Sequence, residues 1–298
     1  MPVLIPAPGS ERLAADLAGA LGCEVRVPEV RAFPDGEWLV RIGGDAIAGD
    51  AIVVADVGGA RFLCAAFLAG TARDLGAARV GLVAPYLAYM RQDSAFQSGE
   101  GVTARYFAKL VSSTFDWLAT VDPHLHRLSA LEAIYGIPCT VARAAPAIAR
   151  YVAAAVERPV LVGPDAESHQ WVAPVAAGCG APHVVFAKTR RGDRDVSVAG
   201  DDGLAASLAG HTPVLVDDIV STGRTMLEAV RLVRATGGAA PVCIAIHAVF
   251  ADAVHDELLR AGAAAVVSCD TLTHPTNRIS IAAELAAAIQ LEISLLVA

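Results

Sequence analysis

Nine short, almost wholly apolar runs punctuate this 298-residue chain: VLIPA (3–7), AIVVADV (51–57), VGLVAPYL (80–87), WLATVD (117–122), PVLVGPD (159–165), HVVFAK (183–188), TPVLVDD (212–218), PVCIAIHAVF (241–250) and AAVVSCD (264–270). A strand with one wet face alternates apolar and polar residues, whereas a strand buried on both faces does not. Continuous runs of this length, each followed by a helix-like segment, predict mostly parallel sheets flanked by helices, an α/β fold. Helical periodicity is plain in SERLAADLAGALG (10–22), TARYFAKLVSS (103–113) and RTMLEAVRLVRATGG (224–238), the last closing on glycines as helix C-termini do.

The length suggests two domains, and one internal similarity supports that number. Residues 51–87 and 213–250 share a plan: apolar strand, acidic end, glycine-containing loop, helix, Gly/Ala turn, apolar strand. The expected boundary lies near 142–146, giving domains 1–143 and 144–298.

With 55% hydrophobic and 18% charged residues and a net charge of −8, the chain has ample material for cores and no basic field, so nucleic acid is not an expected partner. A phosphorylated small molecule is compatible, because a few local donors hold a phosphate inside an acidic protein. The N-terminal stretch has no positively charged leader, and no apolar run approaches the ~20 residues of a membrane span. A soluble, cytoplasmic protein is expected. The six cysteines (23, 64, 139, 179, 243 and 269) form no CxxC pair or zinc-like spacing, and read as buried reduced thiols.

Residues 214–226, VLVDDIVSTGRTM, carry the clearest chemistry. In open parallel sheets ligands bind beyond the carboxyl ends of the strands, where a glycine-containing turn into a helix presents free N–H groups to an anion. Ser221, Thr222, Gly223, Arg224 and Thr225 fit a phosphate loop of that kind, distinct from the GxxxxGK[ST] pattern. Asp217 and Asp218 would repel a phosphate and suit sugar hydroxyls instead. Together the stretch reads as a ribose 5-phosphate site. Helix capping alone accounts for one carboxylate, hardly for two and a hydroxyl-rich loop.

This stretch resembles the phosphoribosyl-pyrophosphate (PRPP) motif shared by phosphoribosyltransferases and the ribose-phosphate pyrophosphokinase (PRPP synthetase) family. Three further stretches separate the two. RAFPDGEWLVRI (31–42), APYLAYMRQDSAFQSGEGVTARYFAKLV (84–111) and ATVDPHLHRL (119–128) resemble, in order and spacing, signatures of the synthetase family. The resemblance runs over nearly the whole chain. It implies two similar phosphoribosyltransferase-type domains, the N-terminal one on the ATP side, the C-terminal one binding ribose 5-phosphate, and the last helix able to pack back on the first domain. It also implies transfer of pyrophosphate from ATP to the anomeric hydroxyl of ribose 5-phosphate, giving PRPP and AMP.

Phe33, Asp35, Gly36 and Glu37 would meet adenine, by stacking and by accepting from its amine, although Asp-Gly between strand-like runs is also a hairpin turn. Arg91, Gln92 and Asp93 would serve the ATP phosphates, the guanidinium as a planar donor fork. The resemblance makes His124 and Asp165 magnesium ligands, an unusual role for a histidine since Mg2+ prefers oxygen; His126 is a supporting or structural residue. In AKTRRGDRDVSV (187–198) it makes Lys188 and Arg190 the catalytic cations of a closing loop that also carries Arg191 and Arg194. It further implies a homo-oligomer with an ATP site shared between subunits. Ser221 resembles archaeal-type loops, Arg224 stands where a small residue is common, and DAESHQW (165–171) departs from the family's glycine- and arginine-bearing pattern. Two other readings are a non-catalytic subunit associated with a synthetase, and a PRPP-using phosphoribosyltransferase. The first is disfavoured by the presence of Lys188, Arg190, His124, Asp217 and Asp218, and the second by the DGE and RQD segments.

Overall fold

The computed structural model describes every residue except 96, 187, 192–194, 199–200 and 298; for 188–191, 195–198, 201–203 and 296–297 it describes the main chain alone. The chain forms two compact units, Met1–Ala142 with Ala282–Ala298, and Arg143–Ile281.

In the first unit, strands β1 (Val3–Pro6), β2 (Glu24–Val25), β5 (Gly49–Val54), β6 (Ala77–Val83), β7 (Trp117–Val121) and β8 (Cys139–Ala142) form a parallel sheet in the order β2-β1-β5-β6-β7-β8. Strands β3 (Glu29–Ala32) and β4 (Trp38–Arg41) make a separate antiparallel hairpin. Helices α1 (Glu11–Leu21), α2 (Arg61–Asp74), α3 (Thr103–Thr114) and the C-terminal α9 (Ala282–Val297) complete the unit, α9 packing on α1, β7 and β8. Ile52, Val53 and Val54 retain no exposed surface, as a strand covered on both faces requires. Helix α1 buries Leu13, Ala14, Leu17 and Ala18, a stripe at helical spacing, and stops at Gly22 in the left-handed conformation. Where α9 meets the sheet, the buried Glu292 carboxylate accepts from the Thr140 hydroxyl of β8.

The second unit repeats the plan. Its parallel sheet has the order β10-β9-β13-β14-β15-β16, built from β9 (Pro159–Gly163), β10 (His183–Val185), β13 (Thr212–Val220), β14 (Val242–Ala248), β15 (Ala265–Cys269) and β16 (Asn277–Ile279). Strands β11 (Lys188–Arg191) and β12 (Asp195–Val198) pair with each other, antiparallel. The helices are α4 (Ala145–Ala155), α5 (His169–Cys179), α6 (Asp201–Leu208), α7 (Arg224–Ala235) and α8 (Asp252–Arg260). The units β5-α2-β6 and β13-α7-β14 occupy corresponding places in the two sheets, which is the origin of the internal similarity in the sequence.

Several apolar runs outlast their strands. β6 ends at Val83 although the run continues to Leu87, because Pro85 has no N–H to give the ladder and the chain turns away there. The cysteines form no disulfide; Cys64, Cys243 and Cys269 are buried and the other three partly so. Burial lifts the Cys64 thiol to about 11 and that of Cys243 to about 12, which leaves both unreactive.

One close approach fixes the centre of the first sheet. Gly81 on β6 lies opposite Trp117 on β7, and a Cβ at Gly81 would sit 2.0 Å from the indole Cε2. Gly81→Ala is therefore expected to destabilise the protein by about 1–3 kcal/mol or more, the scale of overpacking in a dense core. Chemical denaturation checks this; an unchanged midpoint would mean the indole can move aside.

Candidate functional site

The carboxyl ends of the second sheet carry the densest chemistry. β13 pairs with β9 only as far as Leu215–Val162 but with β14 as far as Val220–Ala248. Asp217 and Asp218 thus stand inside β13, where it has outrun one neighbour, and the strand runs on past them. The reach of β9 is replaced there by its loop, which begins Pro164-Asp165. Both carboxylates are buried, 8% and 5% exposed. Asp217 Oδ1 accepts from the Asp218 N–H at 3.1 Å, and Asp218 Oδ1 from the Ile219 N–H at 2.7 Å. Desolvation, then the charges of Asp218 and Asp165, hold the Asp217 carboxyl well above the usual range; the Asp218 N–H opposes them, and Glu167 adds the smallest upward push.

Asp165 caps the short turn Ala166–Ser168: its Oδ1 accepts from the backbone N–H groups of Glu167 and Ser168, each at 3.1 Å, and from Ser168 Oγ at 2.8 Å. The structure therefore draws Asp165 and Glu167 to the Asp217–Asp218 pair. The sequence reading missed Glu167, and gave no sign that Asp165 joins this group. The signal lay in sheet order, which a local motif does not carry.

Beyond β13 the loop runs through half-buried Ser221 and exposed Thr222 to Gly223, with exposed Arg224 and half-buried Thr225 opening α7. Gly223 is the residue before the helix, at φ 72°, and a Cβ there would fall 2.3 Å from Val254 Cγ1 of α8. Left-handed backbone and close approach both demand glycine. The N-terminal amides of a twelve-residue helix open at this loop, with a positive dipole end.

In the first unit, Phe33–Glu37 form the tip of the β3–β4 hairpin. Phe33 N–H donates to Glu37 O at 2.7 Å, Gly36 N–H to Phe33 O at 2.9 Å, and Glu37 N–H to Asp35 Oδ1 at 3.1 Å, with Gly36 at φ 90°. The tip is exposed, and the Arg31 guanidinium lies 4.7 Å from the centre of the Phe33 ring, over one face. Arg91 and Gln92 are exposed in the segment after β6. Asp93 turns inward: its Oδ2 accepts from the Arg127 N–H at 3.2 Å and its Oδ1 from Arg127 Nη1 at 3.0 Å, which ties the Arg91 segment to the histidine segment after β7. His124 is half-buried and stacks on exposed His126, ring centres 6.0 Å apart. Two non-glycine residues with positive φ, Tyr89 at 68° and Asp122 at 31°, sit just before Arg91 and His124. Backbone strain of this kind, about 1–3 kcal/mol, persists where surrounding structure enforces it and clusters at working sites.

Lys188 and Arg190 lie on β11, in an antiparallel ribbon with β12; their side chains lie outside the described residues, as does all of Arg194. Among the described residues no cluster of three His, Cys, Asp or Glu has metal-site geometry, and no helix is long and apolar enough to cross a membrane. A cavity of about 590 Å³ lined by Arg158, His211 and Thr236 opens at the amino-terminal edge of the second sheet, five residues back along β13 from Asp217.

Two α/β units of one strand order, one of them ending in a buried acidic pair and a hydroxyl-rich loop into a helix, define the phosphoribosyltransferase class of fold. Residues 129–286 match the phosphoribosyl transferase domain, and residues 3–114 match the N-terminal domain of ribose phosphate pyrophosphokinase. The ribose-phosphate pyrophosphokinase of Methanopyrus kandleri is 32% identical over 284 residues, covering 94% of this chain and 95% of that one. That of Halobacterium salinarum is 34% identical over 291 residues, covering 96% and 100%. The crystal structure of phosphoribosylpyrophosphate synthetase from Mycobacterium smegmatis superposes with a TM-score of 0.81 at 26% identity, covering 99% of each chain. This chain belongs to the ribose-phosphate pyrophosphokinase family.

The acidic group has a thermodynamic signature. A carboxyl whose folded pKa exceeds its unfolded value of 3.8 binds its proton more tightly when folded, so stability falls as pH rises from that value through the folded pKa. Asp217→Asn is neutral throughout and escapes the loss. The ligand-free variant is expected to melt above the wild type at pH 7, with the gap closing as pH falls toward about 4. Scanning calorimetry across that range checks it; a variant that melts lower at pH 7 contradicts the electrostatic account.

Proposed function

We propose that this protein transfers pyrophosphate from ATP to ribose 5-phosphate, giving PRPP and AMP. The observation that carries the reading is the buried Asp217–Asp218 pair leading into the Ser221–Thr225 loop, in a chain of the pyrophosphokinase family. The loop amides and the hydroxyls of Ser221, Thr222 and Thr225 hold the 5-phosphate, with Arg224 adding charge. Asp217 and Asp218 accept from the ribose hydroxyls and so orient the sugar. The exposed Phe33 ring stacks on adenine, Asp35 or Glu37 takes its amine, and Arg91 and Gln92 hold the triphosphate, with Asp93 bracing that segment through Arg127.

The anomeric hydroxyl attacks the β-phosphorus in line. A new O–P bond forms, the bond between the β-phosphorus and the bridging oxygen to the α-phosphate breaks, AMP leaves with that oxygen, and the hydroxyl proton passes to solvent. Such transfers depend on position and charge neutralisation rather than covalent catalysis. Lys188 and Arg190 supply cations to the transferred group, and the ribbon that carries them excludes water from a reactive product.

Magnesium is the metal that the family resemblance implies. Asp165 is a hard oxygen donor of the kind this ion takes, and its charge raises the Asp217 carboxyl, although among the described residues no three acids or histidines stand in metal-site geometry. His124, after β7 in the first unit, is the nitrogen ligand that the same resemblance implies. Bound magnesium would neutralise phosphate charge as it develops. The exposed hairpin tip leaves an adenine open on one side, which supports an ATP site completed by a second copy of the chain in a homo-oligomer, in the cytoplasm.

Two experiments test the reading. Lys188→Ala is expected to lose turnover by roughly 10²–10³-fold while still binding ribose 5-phosphate; unchanged turnover removes that lysine from the mechanism. Replacing Asp217 and Asp218 together by Asn is expected to weaken ribose 5-phosphate by about tenfold or more, the scale of lost charge-assisted hydrogen bonds, with ATP affinity unchanged by calorimetry. Equal losses for both ligands would count against a sugar clamp.

A further inference from the structure

Behind the phosphate loop lies a chain of hydrogen bonds whose proton order follows once the His274 imidazole is neutral. His274, between β15 and β16, places Nε2 3.1 Å from the Phe250 carbonyl, which only accepts, so Nε2 carries the proton. Nδ1 then accepts from the Thr276 N–H at 3.3 Å and from Thr276 Oγ1 at 2.7 Å. With its proton spent on His274, Thr276 Oγ1 accepts from Ser268 Oγ at 2.7 Å, and Ser268 Oγ accepts from Asn277 Nδ2 at 2.9 Å. The register closes where Asn277 Oδ1 accepts from the His274 N–H at 2.8 Å. Ser268 and Thr276 are buried and His274 and Asn277 half-buried, so the bond between the two hydroxyls forms away from water. The imidazole also packs on the Phe250 ring, centres 4.6 Å apart.

What the chain ends on gives it meaning. Phe250 belongs to the segment after β14 that backs the phosphate loop. One residue earlier, Val249 N–H donates to Val220 O at 3.0 Å, on the last residue of β13 before Ser221. Four residues later, Val254 fills the space against Gly223. The segment is thus held from one side by His274 and bears on the phosphate loop from the other.

We propose that His274 is a positioning residue for the phosphate loop: as the neutral Nε2–H tautomer, oriented by Thr276, Ser268 and Asn277, it anchors Phe250 and through Val220 and Val254 holds residues 221–223 in their anion-ready shape. The inference rests on the reading of that loop as the 5-phosphate site, yet its mechanical part stands without a ligand.

Hydrogen exchange of the free protein, read by mass spectrometry on a peptide spanning 219–226, tests that part. His274→Phe keeps the ring packing and removes all three bonds to the ring nitrogens, the one to Phe250 among them; exchange in that peptide is expected to rise roughly two- to tenfold, the factor one net hydrogen bond is worth. A peptide from β1 should not change. His274→Gln, which retains an N–H for Phe250, should restore most of the protection. Nitrogen NMR of the imidazole should report the Nε2–H tautomer, and ribose 5-phosphate affinity should fall in His274→Phe with ATP affinity held. Wild-type exchange in His274→Phe, or an Nδ1–H tautomer, overturns the proposal. Raised exchange without any ribose 5-phosphate binding by the wild type would instead overturn the phosphate-site reading and leave the brace standing.

Discussion

Burying a carboxylate beside another carboxylate is among the least favourable things a fold can do, and β13 does it at Asp217 and Asp218 with Asp165 and Glu167 close by. Three backbone features make the arrangement persist. The strand is pinned on one side by β14 through this region, the two side chains are held by N–H groups of the same strand, and Asp165 is locked by its own cap. The unfavourable electrostatics then become a standing affinity for whatever brings positive charge or hydroxyl donors. The stability given up here is what the proposed ligands would restore.

The first unit shows what the same architecture does without that demand. At the corresponding strand end, after β5, Asp56 accepts from the Gly58 N–H at 2.9 Å and pairs with Arg61 at 3.0 Å. One acid, paired with the arginine that opens α2, leaves no unmet charge. Its chemistry-bearing residues lie elsewhere, on the β3–β4 hairpin and after β6 and β7, at positions marked by the positive φ of Tyr89 and Asp122. A repeated fold thus carries two different local arrangements, with the hydroxyl-rich loop and its buried acidic pair in the second unit.

Strands were legible in the sequence because a strand covered on both faces must be apolar throughout, as Ile52 to Val54 and Val214 to Val216 are. The Asp217–Thr225 loop was legible because its geometry is local: strand, left-handed glycine, helix. What could not be read depended on which strands lie side by side. Asp165 and Glu167 reach Asp217 because β9 neighbours β13; Asp93 meets Arg127 from 34 residues away; His274 meets Phe250 from 24. The DGE stretch shows the reverse case, where a local pattern has two meanings at once. It is a hairpin turn, as Asp-Gly predicts, and its exposed tip carries the candidate adenine contacts.

Phosphorus NMR of the purified protein with magnesium, ATP and ribose 5-phosphate tests the central claim most directly. The account predicts that AMP and PRPP appear together and in equal amounts, and only when the sugar phosphate is present. ADP in place of AMP, or no turnover by folded protein that binds both ligands, would contradict it; the second result would favour a non-catalytic partner of a synthetase.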